Sequence, residues 1–323
     1  MGLIGDLAVQ GAQMTLVLAA APLVTGLVRK VKARVLRRRG PPIVQPYRDI
    51  LRLLRKEAVI AENASWLFRT APYLIFAATW VAAALIPTFA SGLIFSWSAD
   101  FIAIVALLGS ARFFLALAGM DVGTSFGGIG SSREAMIASF AEPAMMMIVF
   151  SIALLIGSTQ LSVIAATLLG SHVGLRVTLA LAFVSLVLVG VAENGRIPVD
   201  NPATHLELTM VHEAMVLEYS GRHLALIELA SSLKLLLYIS LIACLFVPWG
   251  IAPAAHVSSA AALAAYAIGA LAYAAKLGIG CTLLAVFETS IAKMRVFRVP
   301  TFLSAALTLA LLGTLLLYVS RGL

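Results

Sequence analysis

The chain is short of charge. Asp, Glu, Lys and Arg make up 12% of its 323 residues, about half the share in an ordinary soluble domain. Cysteine is nearly absent: Cys244 and Cys281 stand alone inside apolar runs, with no CxxC pair. That excludes a disulfide framework and leaves no ligand set for zinc or an iron–sulfur cluster on this chain. Acidic residues are scarcer than basic ones, 15 against 23, for a formal charge of +8. Such a balance can signal nucleic acid, but the Lys and Arg residues stand beside apolar runs. Membrane topology explains that placement, and no nucleic-acid partner is expected. Linkers, low-complexity tracts and short repeats are also missing, so a single integral domain, 1–323, is expected.

What the chain has in quantity is apolar sequence: 61% hydrophobic residues and a mean hydropathy of +1.01. A helix needs about 20 apolar residues to cross a bilayer. Runs near that length occupy about 8–28, 72–90, 101–119, 136–157, 175–192, 224–247, 262–286 and 301–319. The expected fold is all-α, a polytopic membrane bundle of about eight transmembrane helices. The first run is not a cleaved signal, because Arg29, Lys30, Lys32 and Arg34 follow it instead of preceding it. With the N-terminus outside, 18 of the 23 basic residues fall in the odd-numbered loops. The positive-inside rule then places loops at about 29–71, 120–135, 193–223 and 287–300 in the cytoplasm and both termini outside. The expected location is the inner (cytoplasmic) membrane of the cell, multi-pass.

In the first loop, Gly40-Pro41-Pro42 breaks any helix, and YRDILRLLRKEAV follows. Arg48, Arg52 and Arg55 recur at i, i+4 and i+7, with Ile50, Leu53 and Leu54 on another face. This basic amphipathic helix either lies at the headgroups or docks a soluble partner. Between the third and fourth spans, Gly123, Gly127, Gly128 and Gly130 suggest a tight, packed turn. A phosphate loop is not indicated, since GGIGSSRE lacks the Gly-Lys-Ser/Thr ending.

Ionisable residues inside or beside the spans are Arg112, Glu142, Glu193, Glu228, Lys234, Lys276 and Glu288. Each would cost about 2.5–3.5 kcal/mol at mid-bilayer if it faced lipid. They are therefore expected to be buried with partners. A structural ion pair explains any one of them, but the set as a whole suggests a proton path.

The densest polar stretch is the fifth loop, ENGRIPVDNPATHLELTMVHEAMVLEYSGR, residues 193–222. It carries Glu193, Asp200, Glu207, Glu213 and Glu218, with Glu228 just beyond, and the histidines His205 and His212. HEAMV begins like a zinc-protease helix, but Val216 stands where the second histidine of HExxH belongs. No nucleophile elbow or Cys/His constellation is present. His205 and His212, seven apart, can share a helix face, yet two histidines without a third ligand make a weak metal site. The remaining reading is a row of carboxylates and imidazoles able to exchange protons or to form a polar binding surface.

RRGPPIVQPYRDI, ARFFLALAGMD with GSSREAM and FAEP, the fifth-loop run through EYSG, and FETSIAKMR occur in this order. Together they resemble the membrane anchor subunit shared by respiratory complex I (its subunit 1) and energy-converting nickel-iron hydrogenases. The wording SSREAM and DNPATHLELTMVHEAM resembles the hydrogenase branch, the formate hydrogenlyase subunit 4 and hydrogenase-4 component C group. The complex I pattern is matched at Glu193, Arg196, Pro198, Asp200, Pro202, Glu207 and Glu218–Gly221. Two of its acidic positions are Ala203 and His205 here, which argues against a quinone chamber.

The resemblance implies a non-catalytic subunit with no cofactor of its own. The nickel-iron centre and iron–sulfur clusters would sit on partners: hydrogenase large and small subunits, a ferredoxin-like iron–sulfur subunit and antiporter-like membrane subunits. Docking falls to Arg37, Arg38, Arg39, Arg48, Arg52 and Arg133. Proton or sodium coupling falls to Glu142, Glu193, Asp200, Glu207, Glu213 and Glu218 with His205 and His212. Arg112, Lys234, Lys276, Glu228 and Glu288 are the expected charge partners. Two alternatives stay open: a quinone-site-forming subunit 1 of an NADH dehydrogenase, and a stand-alone ion transporter, although no inverted repeat is visible.

Overall fold

The computed structural model describes residues 3–92, 94–170, 177–200, 210–252 and 260–322. Eleven α-helices follow one another in these residues. They are α1 (Leu3–Val35), α2 (Gln45–Leu54), α3 (Trp66–Leu85), α4 (Phe101–Asp121), α5 (Ser125–Ile156), α6 (Leu161–Gly170), α7 (Val177–Glu193), α8 (His212–Val216), α9 (Gly221–Phe246), α10 (Ala260–Ser290) and α11 (Val299–Gly322). Among the described residues, seven helices are long and apolar enough to cross a membrane: α1, α3, α4, α5, α9, α10 and α11. The 17-residue α7 occupies the remaining expected span. The all-α membrane bundle of about eight spans is therefore the fold.

Packing explains the order. α9, the most buried of the long helices, lies against α3 and α1; α4 packs on α3 and α5; α11 closes against α5 and α7; and α10 rests mainly on α1. Lipid is as apolar as these side chains, so close packing and internal polar contacts must hold the helices together. Helix ends are fixed by local chemistry. The Asp100 carboxylate accepts the Ile102 N–H at 2.9 Å to cap α4 and the Thr159 hydroxyl at 2.8 Å. Gly157, at φ 85°, ends α5 in the left-handed conformation that glycine adopts freely.

Two expectations are corrected. The glycine-rich connection at about 120–135 is not a packed turn: α5 starts at Ser125, and only Val122–Thr124 separate it from α4. Its glycines serve close approach instead. A Cβ on Gly130 would meet Met215 Cγ at 2.9 Å, and one on Gly127 would overlap the Gly119 carbonyl. α4 and α8 thus pack directly on the first turns of α5. Second, the connection between α5 and α7 contains the apolar α6, which was not expected. At 10 residues it is too short to span, and it buries Leu161, Ile164 and Ala165 against the bundle.

The first loop also sits deeper than its sequence suggests. α2 is held against α1 by Tyr47, whose hydroxyl donates to the Ala19 carbonyl, and Gly26 lets the Ile43 backbone touch α1. Arg48, Leu51, Arg52 and Leu54 stay exposed.

Candidate functional site

Arg112 lies halfway along α4 and is 7% exposed. Its guanidinium forms an ion pair with Glu193, the last residue of α7. Glu193 also receives Lys234 Nζ of α9 at 2.9 Å. Two carboxylates of α5 stand off farther: Glu134 is 3.6 Å from Arg112 Nε, and Glu142 is 3.8 Å from Nη1. These two contacts are longer than hydrogen bonds, and among the described residues the Arg112 Nε and Nη1 groups make none.

Among the described residues three carboxylates face two cations, so with every group ionised these five carry a net charge of one negative unit. One proton would balance it. Beside the cluster is a cavity of about 60 Å³, bordered by Arg112, Glu134, Glu193, Asp200, His212 and Lys234. Roughly 10–15 Å³ of such space holds one water, so the cavity can take a few.

A second ionic group ties down the fifth loop. Glu288, 3% exposed near the end of α10, accepts Lys32 Nζ of α1 at 2.9 Å and pairs with Arg196 at 3.4 Å. Burial pulls the Arg196 guanidinium below its ordinary value, and Glu288 opposes that pull. Asp200 pairs with Lys293 at 3.2 Å and accepts the Val211 N–H at 3.3 Å. At the far end of the loop, Tyr219 stacks on Phe68 with centroids 4.0 Å apart and donates to the Phe68 carbonyl at 3.0 Å. Burial, with Asp121 nearby, pushes the Tyr219 hydroxyl well above its ordinary value. Gly221 passes so close to the Glu57 carbonyl that a Cβ would overlap it.

The structure thus brings Glu142, Glu193, Arg112 and Lys234 together, with Asp200 and His212 on the shared cavity. His205 and Glu207 lie outside the described residues. Glu213 is half-buried at the start of α8, and Glu218 is exposed. Glu228 is exposed on α9, within electrostatic reach of His212 and Glu213 and of Arg29 and Asp49.

Lys276 sits on α10 near Cys244, and among the described residues it forms no ion pair with a carboxylate. Glu288 likewise belongs to the Lys32–Arg196 group and not to the Arg112 cluster. Of the expected docking residues, Arg37, Arg38, Arg39, Arg48 and Arg52 are exposed, while Arg133 donates to the Met210 carbonyl at 2.7 Å. Glu134 was missed by the sequence reading. Its signal is the spacing to Glu142, just over two turns along one helix, which is visible only once residues 125–135 are known to be helical. Lys32 entered the sequence reading only as a loop charge, while Arg196 and Lys293 lay in the motifs of the resemblance without an assigned partner.

Eight or so membrane helices enclosing a buried ion-pair cluster at the foot of a polar loop define a polytopic membrane protein with intramembrane charge. The family model described as NADH dehydrogenase matches residues 8–319. The chain belongs to that family. It is 32% identical to formate hydrogenlyase subunit 4 of Escherichia coli (strain K12) over 301 residues, 93% of this chain and 95% of the relative. It is 36% identical to hydrogenase-4 component C of the same organism over 240 residues, 74% and 75% of the two chains. NADH-ubiquinone oxidoreductase chain 1 of Triticum aestivum is 29% identical over 228 residues, 68% of each. Among solved structures, a chain of the membrane-bound sulfane sulfur reductase, an archaeal respiratory membrane complex, shares the fold. Its TM-score is 0.78 at 18% identity, covering 97% of this chain and 99% of that one.

Proposed function

We propose that this chain is the membrane anchor and coupling subunit of an energy-converting hydrogenase complex of the formate hydrogenlyase type, in the inner membrane. In this reading it performs no redox step. The nickel-iron centre and the iron–sulfur clusters belong to soluble partners, namely hydrogenase large and small subunits and a ferredoxin-like subunit, seated on the cytoplasmic loops. Antiporter-like membrane subunits would move the proton or sodium ion.

The observation that carries the reading is the Arg112–Glu193–Lys234 cluster, sunk among the helices beside a polar cavity. With Glu134 and Glu142 it has one carboxylate more than it has cations. A proton entering from the cavity neutralises the cluster, and its departure restores the charge. Because Glu193 ends α7 and opens the fifth loop, a shift of that loop alters the Glu193 contacts directly. The 32% identity along nearly the whole of formate hydrogenlyase subunit 4 supports the hydrogenase type.

The test has two stages. The tagged chain, extracted mildly from cells grown without oxygen, should bring down nickel and hydrogen-evolving activity. Partners lacking nickel would instead place it with complex I or another relative of the hydrogenases. In the assembled complex, Glu193→Gln should lower coupled activity roughly tenfold, a barrier change of about 1.4 kcal/mol. Full coupling in that variant would remove the cluster from the mechanism.

A further inference from the structure

None of the docking or coupling residues named above lies in the last cytoplasmic connection, residues 291–298. One side of it is anchored to the fifth loop: Lys293 pairs with Asp200, and the Met294 N–H donates to the Pro198 carbonyl at 2.9 Å. The other side faces out. Phe297 is 93% exposed, and Arg295 and Arg298 on either side of it are exposed as well. Among the described residues neither guanidinium has an ion-pair partner.

The connection hangs from α10, the least buried of the long helices, whose Ile279, Leu283 and Val286 are exposed at helical spacing on one stripe. Ile291, the first residue past α10, is exposed as well, and the connection begins there. An aromatic ring between two arginines, at the foot of a lipid-facing stripe, suits the headgroup boundary. There the ring enters the acyl edge while the guanidiniums reach phosphate. At the opposite ends of the helices, Trp97 and Trp249 are 73% and 67% exposed, with no arginine or lysine within five residues of either. Those two rings lack the flanking guanidiniums that Phe297 has.

We propose that Arg295, Phe297 and Arg298 form a binding site for an anionic phospholipid of the inner leaflet. The lipid phosphate lies between the two guanidiniums, and Phe297 packs on the upper acyl chains. A bound lipid also steadies the connection that holds Lys293 on Asp200, which places the site next to the cavity of the buried cluster.

Two measurements test it, and neither depends on which complex the chain serves. First, a photoreactive benzophenone residue is placed at 297 and irradiated in native membranes, and its adducts are identified by mass spectrometry. Adducts with phosphatidylglycerol or cardiolipin are expected; adducts with a soluble subunit, or with zwitterionic lipid alone, overturn the site. Second, cardiolipin is titrated into the delipidated complex and read by native mass spectrometry. Each arginine near an anionic surface contributes roughly fivefold to binding, so R295Q/R298Q should weaken the tightest site on the order of 20-fold. R69Q on α3, an exposed arginine with no docking role, should leave that site unchanged. Equal binding by all three proteins overturns the assignment.

Discussion

Arg112 shows how one residue can constrain several helices. A guanidinium on α4 is tolerated among apolar neighbours because α5 and α7 each bring carboxylates to it. Removing Arg112 leaves the buried carboxylates Glu134 and Glu193 short of positive charge, which typically costs about 3–5 kcal/mol. Arg112→Met should therefore sharply lower the thermal stability of the detergent-solubilised chain. Because Lys234 still faces Glu193, the companion change Glu193→Gln should restore only part of it. A single Arg112→Met variant as stable as the wild type would mean that the ion pair does not hold α4 to α7. Tyr219 works similarly on a smaller scale: its ring stacks on Phe68 and its hydroxyl reaches the Phe68 carbonyl. Tyr219→Phe keeps the stack and loses only a hydrogen bond, about 0.5–1.5 kcal/mol. Tyr219→Ala loses both and should loosen the first loop to proteolysis.

Among the elements, α5 departs most from its appearance in the sequence. Its opening SFGGIGSSRE looks like a loop because glycine disfavours helices by up to about 1 kcal/mol per residue. Tertiary contact overrides that preference, since only a glycine lets α8 reach the helix at position 130. Gly130→Leu should displace α8, disturb the cavity wall at Val211 and His212, and reduce assembly. Gly128→Ala, where a Cβ meets nothing within 4 Å, should be neutral or slightly stabilising. Equal assembly of the two variants, measured by the amount of chain in purified complex, would contradict the close-approach role. The same helix carries both Glu134 and Glu142, so its register decides which carboxylates face Arg112.

For the whole molecule, the uneven distribution of charge is a topological statement. The expected arrangement puts Arg38 and Trp249 on opposite sides of the membrane. Both side chains are exposed, while the native Cys244 and Cys281 are buried. A membrane-impermeant thiol reagent should therefore label Arg38→Cys only in inverted vesicles and Trp249→Cys only in whole cells. Labelling of both from one side would overturn the eight-span arrangement with outside termini. The Arg112 cluster reaches the fifth loop through Glu193, and the Lys32–Glu288 pair reaches it through Arg196.

The sequence by itself determined the class of fold, because long apolar runs and the placement of Lys and Arg are properties of composition along the chain. It also marked Arg112, Glu142, Glu193 and Lys234, since a charge within an apolar run is conspicuous wherever the run folds. Partnership was a different matter. Glu193 and Lys234 are 41 residues apart, and Arg112 and Glu193 81, so only the packing of α4, α5, α7 and α9 could bring them together. The same packing left Lys276 away from the cluster, added Glu134 and made a helix of a glycine-rich stretch. Hydropathy is a local quantity and was legible. Which charge meets which depends on helix register and on contacts between distant residues, and only the tertiary structure could decide it.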